Sequence, residues 1–134
     1  MAKSATERLN AKKDHKVVVL ENDFAGVKKG QKLFVATPGI IDSYIRKIPR
    51  GQTRTIERMR NELARRWSCS ATCPVSTAIF VRIAAQAALE KLEAGSPESG
   101  ITPFWRLVEP DSKIAGKLDV DSAWIAMKRE AEQG

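Results

Sequence analysis

The chain reads as a mainly α fold with small β elements: a winged helix-turn-helix domain preceded by a short β-hairpin. Three observations predict it. Apolar residues recur at helical spacing in four segments after Gly39. Runs rich in β-branched residues are confined to Lys16–Leu20 and Lys32–Ala36. Two consecutive helical segments are followed by Thr102–Leu118, which reads as strand, turn and strand. With 134 residues and a hydrophobic fraction of 43%, one domain with its own core is expected, without help from metals or disulfides.

Residues 1–15 alternate charged and small polar side chains without periodicity and are expected to form a flexible basic tail. Residues 16–38 follow as a hairpin segment packing on the core, its strands KVVVL and KLFVA separated by Gly26 and a KKG turn. The third segment, 39–134, holds the helix-turn-helix. Ile40, Ile41, Tyr44, Ile45 and Ile48 share one helical face, and Pro49-Arg50-Gly51 ends that helix. Thr55 is an N-cap for the next, whose Ile56, Met59, Leu63 and Trp67 form an apolar stripe with arginines outside it. A third helix starts between Pro74 and Thr77 and runs to about Ala94, with Val75, Ile79, Ile83 and Ala87 stepping by four and Phe80, Ala84 and Ala88 beside them, so it is expected to be largely buried. Glu109-Pro110-Asp111-Ser112 has proline where a type I turn favours it, which makes Thr102–Leu118 the wing. A last amphipathic helix begins near Asp121 with Val120, Trp124, Met127 and Ala131 as its stripe.

The formal charge is +7, and its distribution is more informative than its size. Between Arg46 and Arg66 lie eight Lys or Arg side chains against two glutamates. Concentrated arginine points to a polyanion partner, here double-stranded DNA. Arg50, Arg54, Thr55 and Arg58 surround the start of the second helix, where phosphate contacts belong. Ser76 and Thr77 sit in the first turn of the third helix, whose free N–H groups also suit phosphate. Lys113 and Lys117, four apart, fall on one side of a wing strand.

Cys69 and Cys73 are the only cysteines and His15 the only histidine, too few for a four-ligand zinc site. Two free thiols, a disulfide, or a reactive thiol at the start of the third helix all remain open. No cofactor, metal or membrane partner is called for. The N-terminus lacks the apolar stretch of a signal peptide, so the cytoplasm or nucleoid is the expected location.

"IPRGQTRTIERMRNELA" (Ile48 to Ala64), followed by a helix and then "TPFWRLVEPDSKIAGKL", resembles the C-terminal domain of the alkylguanine-DNA alkyltransferases and their alkyltransferase-like relatives. The resemblance runs from about Ile40 to Glu132. The repair enzymes carry Pro-Cys-His-Arg-Val, whose cysteine takes the alkyl group from a flipped-out guanine. Laid over this chain, Pro103 and Arg106 match, Phe104 replaces the cysteine and Trp105 the histidine. A phenyl ring offers no nucleophile, so the resemblance implies DNA binding without alkyl transfer, as in the alkyltransferase-like proteins. It departs elsewhere: Ile56 stands where the family has a tyrosine, and neither its arginine finger nor its hinge asparagine has a clear match, Arg82 lying deep in the third helix.

The resemblance makes Pro103, Phe104, Trp105 and Arg106 a candidate base pocket. The two rings could equally be core, and Arg106 could hydrogen-bond nearby backbone. The expected function is a monomeric, non-enzymatic DNA-binding protein that recognises alkylated guanine and marks it for downstream repair proteins. The alternatives are a regulatory or architectural DNA-binding protein with a filled pocket, and an alkyltransferase using Cys69 or Cys73.

Overall fold

A computed structural model describes residues 4–133. Its elements run α1 (Ala5–Asn10), β1 (Lys16–Val19), β2 (Lys32–Val35), α2 (Pro38–Arg46), α3 (Ile56–Arg66), β3 (Ala71–Thr72), α4 (Pro74–Glu93), a 3₁₀ turn (Phe104–Arg106), α5 (Lys113–Gly116) and α6 (Ser122–Gln133). The fold is mainly α with a small sheet, as the periodicities predict. No helix among the described residues is long and apolar enough to cross a membrane.

The expected hairpin forms. β1 pairs antiparallel with β2, Lys16 opposite Val35 and Val19 opposite Lys32. Beyond the strands, Phe24 and Val27 exchange two 2.8 Å backbone bonds around Ala25 and Gly26, both at positive φ, which closes a tight two-residue turn. β3, which the sequence did not reveal, adds parallel to β2 beside Leu33 and Phe34. Phe34 is buried there and stacks on Trp67 with ring centroids 4.3 Å apart.

Helix boundaries follow capping chemistry. Thr37 caps α2 with Pro38 in its first turn, and the Thr55 hydroxyl accepts from the Arg58 N–H at 3.0 Å to start α3. α4 ends at Gly95 in the left-handed region, where the Gly95 and Ser96 N–H groups donate back to Leu92 and Lys91. Ile41, Ile45 and Ile48 of the α2 segment meet Met59 and Leu63 of α3 and Val81, Ala84 and Ala88 of α4 in one core.

Four expectations are corrected. The stretch read as a flexible tail contains α1, held by a capping box between Ser4 and Glu7; residues 1–3 lie outside the described residues. The Glu90 carboxylate clamps α1 to α4 by accepting from the Ala5 N–H, the Thr6 N–H and the Thr6 hydroxyl at 2.7–3.0 Å.

The wing does not form: Thr102–Leu118 holds a 3₁₀ turn and the short helix α5 in place of two strands. Of residues 101–108 only Arg106 is not buried, so the segment lacks the in-out alternation of a half-exposed strand. Its backbone is satisfied locally, with the Leu107 and Val108 N–H groups donating to the Phe104 carbonyl. The Glu109–Ser112 turn is present, but Ser112 uses its hydroxyl to cap α5.

On α4, Val75 and Ile79 are 59% and 52% exposed, whereas Ala84, Ala85, Ala87 and Ala88 are buried. Val81 and Leu89 are buried with these alanines, so the buried side of α4 includes the expected Ala84, Ala87 and Ala88 but not Val75 and Ile79. On α6, Ile125 is buried and Met127 and Ala131 are exposed. Trp124, which stacks on Phe104, sets that helix's rotation.

Candidate nucleic-acid interface

The basic segment runs from the end of α2 through the loop to α3. Its arginines have different fates. Arg46 pairs with Asp42 one helical turn away at 2.9 Å. Glu62 serves as the hub of a second cluster: its carboxylate accepts from the Arg58 Nε at 2.8 Å and the Tyr44 hydroxyl at 2.6 Å, with Arg54 at 3.9 Å. These hydrogen bonds, Tyr44's first and Arg58's second, hold the Glu62 carboxyl below its ordinary range. Partial burial raises the Tyr44 pKa. Arg60 turns inward and exchanges bonds with Thr72, its Nε donating to the Thr72 carbonyl and its own carbonyl accepting the threonine hydroxyl.

Lys47 and Arg50 at one end, and Arg65 and Arg66 at the other, are exposed and make no ion pair with a carboxylate among the described residues. Arg65 and Arg66 end α3, whose 11 residues span about 16 Å, and Lys47 and Arg50 lie in the connection that precedes it. Arg66 also lies over the Trp67 ring, 4.8 Å from its centroid.

Arg106 is a clasp. Its Nε and one terminal nitrogen donate to both oxygens of Glu132 on α6, at 3.0 and 2.8 Å, and the other terminal nitrogen donates to the Ile48 carbonyl at 2.8 Å. Its own carbonyl accepts from the Arg54 N–H. One residue thus ties the end of α2, the loop before α3 and the last helix together. The Arg106 bonds hold the Glu132 carboxyl below its ordinary range.

The candidate base pocket divides. Phe104 is fully buried, stacked on Trp124 and edge-on to Trp105 at 5.6 Å, so it is core and cannot serve as a pocket wall. Pro103, Trp105 and Arg106, by contrast, line a cleft of about 560 Å³ together with Arg46, Arg50 and Lys128. Trp105 is only 4% exposed, and the Lys128 ammonium sits 4.9 Å from its ring centroid. The Trp105 indole N–H is buried beside Glu132 without a well-formed hydrogen bond. Lys128, paired with Glu98, and Glu132 were not foreseen; their i,i+4 spacing one turn beyond Trp124 was the available signal.

Other candidates separate from this surface. Thr77 is fully buried and donates its hydroxyl back to the Cys73 carbonyl at 2.6 Å, so it does not present itself to phosphate. The Ser76 hydroxyl is enclosed in the protein and has no partner there. Lys113 is exposed on α5 and Lys117 is exposed just after it, neither on a wing, and Lys117 borders a different groove, on α4. Cys69 and Cys73 are free thiols. Burial pushes the Cys69 thiol up, more than Lys32 lowers it, and its sulfur meets the Trp67 carbonyl at 3.4 Å. A protonated, half-buried thiol is a poor nucleophile. Among the described residues, no group of three His, Cys, Asp or Glu side chains could hold a metal.

Fold and site together describe a small helical domain with a cationic strip beside an aromatic-lined polar cleft. Comparison with protein families, curated proteins and solved structures finds no match for the chain.

Proposed function

We propose that this is a non-enzymatic DNA-binding protein that holds duplex DNA by its phosphates. The observation that carries the reading is the two cationic clusters, Lys47 with Arg50 and Arg65 with Arg66, that make no ion pair among the described residues, on a segment whose other arginines are already engaged. Phosphate contacts of this kind position a duplex without reading its sequence. Phe104 stands where the resembled enzymes keep their acceptor, and its burial in the core supports binding without alkyl transfer.

A second reading, recognition of an alkylated guanine, is favoured by the cleft. Pro103, Trp105 and Arg106 line it beside Arg50, so an extruded nucleotide could enter at the edge of the phosphate-binding strip.

One experiment tests both. Affinity is measured for a short duplex with and without a single O-alkylated guanine, at low and moderate salt. Neutralising about four phosphates makes affinity fall about a hundredfold between about 50 and 200 mM salt. Tighter binding to the alkylated duplex supports the cleft as a lesion site; equal binding leaves phosphate recognition alone. Failure to bind either duplex at low salt overturns the proposal.

A further inference from the structure

The exposed face of α4 forms the floor of a second concavity, a groove of about 390 Å³ walled by α1 and α5. Its floor and one wall are apolar, through Ile79, Ile83 and Ile114. Its cations are Arg8, Arg82 and Lys117, none of which makes an ion pair among the described residues. Among the described residues the only carboxylate lining it is Glu90, whose oxygens accept three hydrogen bonds from Ala5 and Thr6. The groove therefore offers apolar area and an excess of positive charge, three cations against one carboxylate.

From this pairing we infer that the groove docks an acidic amphipathic helix of a partner protein. Apolar side chains on one face of such a helix, three and four positions apart, would cover Ile79, Ile83 and Ile114, while flanking carboxylates meet Arg8, Arg82 and Lys117. Duplex DNA fits the same surface less well. Isoleucines offer no hydrogen bond to base edges, and a phosphate gains nothing from an apolar floor. The inference is independent of the DNA-binding strip, so either can fail alone.

The probe is a synthetic, fluorescein-labelled helical peptide with leucines at i, i+4 and i+7 and glutamates on both flanks, titrated by anisotropy against the full chain. Saturable binding is expected. Ile79→Glu should weaken it at least about tenfold, and so should Arg82→Glu with Lys117→Glu. Lys29→Glu, a single charge reversal in the β1–β2 connection, should not. Ile79, Arg82 and Lys117 are exposed, so the variants should keep their circular dichroism and thermal transition. Duplex affinity should survive Ile79→Glu. Three results overturn the proposal: no saturable binding, equal weakening by Lys29→Glu, or displacement of the peptide by an unlabelled duplex, which would give the groove to nucleic acid. Concentration-dependent self-association lost in Ile79→Glu would also overturn it, in favour of a second copy.

Discussion

Arg46–Arg66 and Thr102–Val108 carry the most conspicuous chemistry in the chain, one a run of arginines and the other a pair of adjacent aromatic rings, and they end in opposite environments. The first sends Ile48, Met59 and Leu63 into the core but keeps four exposed cations that have no carboxylate partner among the described residues. The second becomes core, and its one charged residue closes a three-way clasp. An arginine's role therefore depends less on its neighbours in sequence than on whether a carboxylate or carbonyl lies within its reach. Arg50 and Arg106 show both outcomes.

The contrast breaks most sharply at Phe104. Phe104→Ala should destabilise the fold by about 3–5 kcal/mol in urea denaturation, because a fully enclosed ring leaves a cavity against Trp105 and Trp124. A loss below about 1 kcal/mol would return Phe104 to the pocket. Glu132→Gln should cost about 2–3 kcal/mol by leaving the largely buried Arg106 guanidinium poorly paired. The same pair has a pH signature. The Glu132 carboxyl titrates lower in the folded protein than in the unfolded chain, so its contribution is present above the ordinary carboxylate pKa. It is lost as the pH falls through the depressed one. Wild-type stability should therefore decline below about pH 4.3, more steeply than in Glu132→Gln.

On the surface side, Arg50→Glu should leave the denaturation midpoint nearly unchanged while reducing duplex affinity about tenfold, about 1.4 kcal/mol, at low salt. If stability falls and affinity does not, Arg50 belongs with the clasp rather than the strip. The smallest effect is expected from Thr55→Ala, about 1 kcal/mol of stability from the lost cap of α3, read by thermal denaturation.

Legibility followed distance along the chain. Thr55 and the Met59–Leu63 stripe of α3 were readable because capping and helical periodicity act within a few residues. The capping box at Ser4–Glu7 was equally local and was overlooked among the charges around it. The failures on α4 and α6 had a different cause. Several faces of each helix were apolar enough to be buried, and packing partners chose among them. On α4 Val81, Ala84 and Ala88 are buried while Val75 and Ile79 are exposed, and on α6 Ile125 is buried while Met127 is exposed.

The sequence by itself determined a mainly α chain, an N-terminal hairpin, and a basic segment held on a capped helix. Tertiary structure alone decided that Phe104 is core, that Trp105 faces a cleft shared with Arg50 and Lys128, and that Arg106 joins α2 to α6. The physical reason is range: periodicity and caps are settled between residues three or four apart, whereas Arg106 meets partners 26 and 58 positions away. Contacts of that span exist only once the core has closed and brought the side chains together.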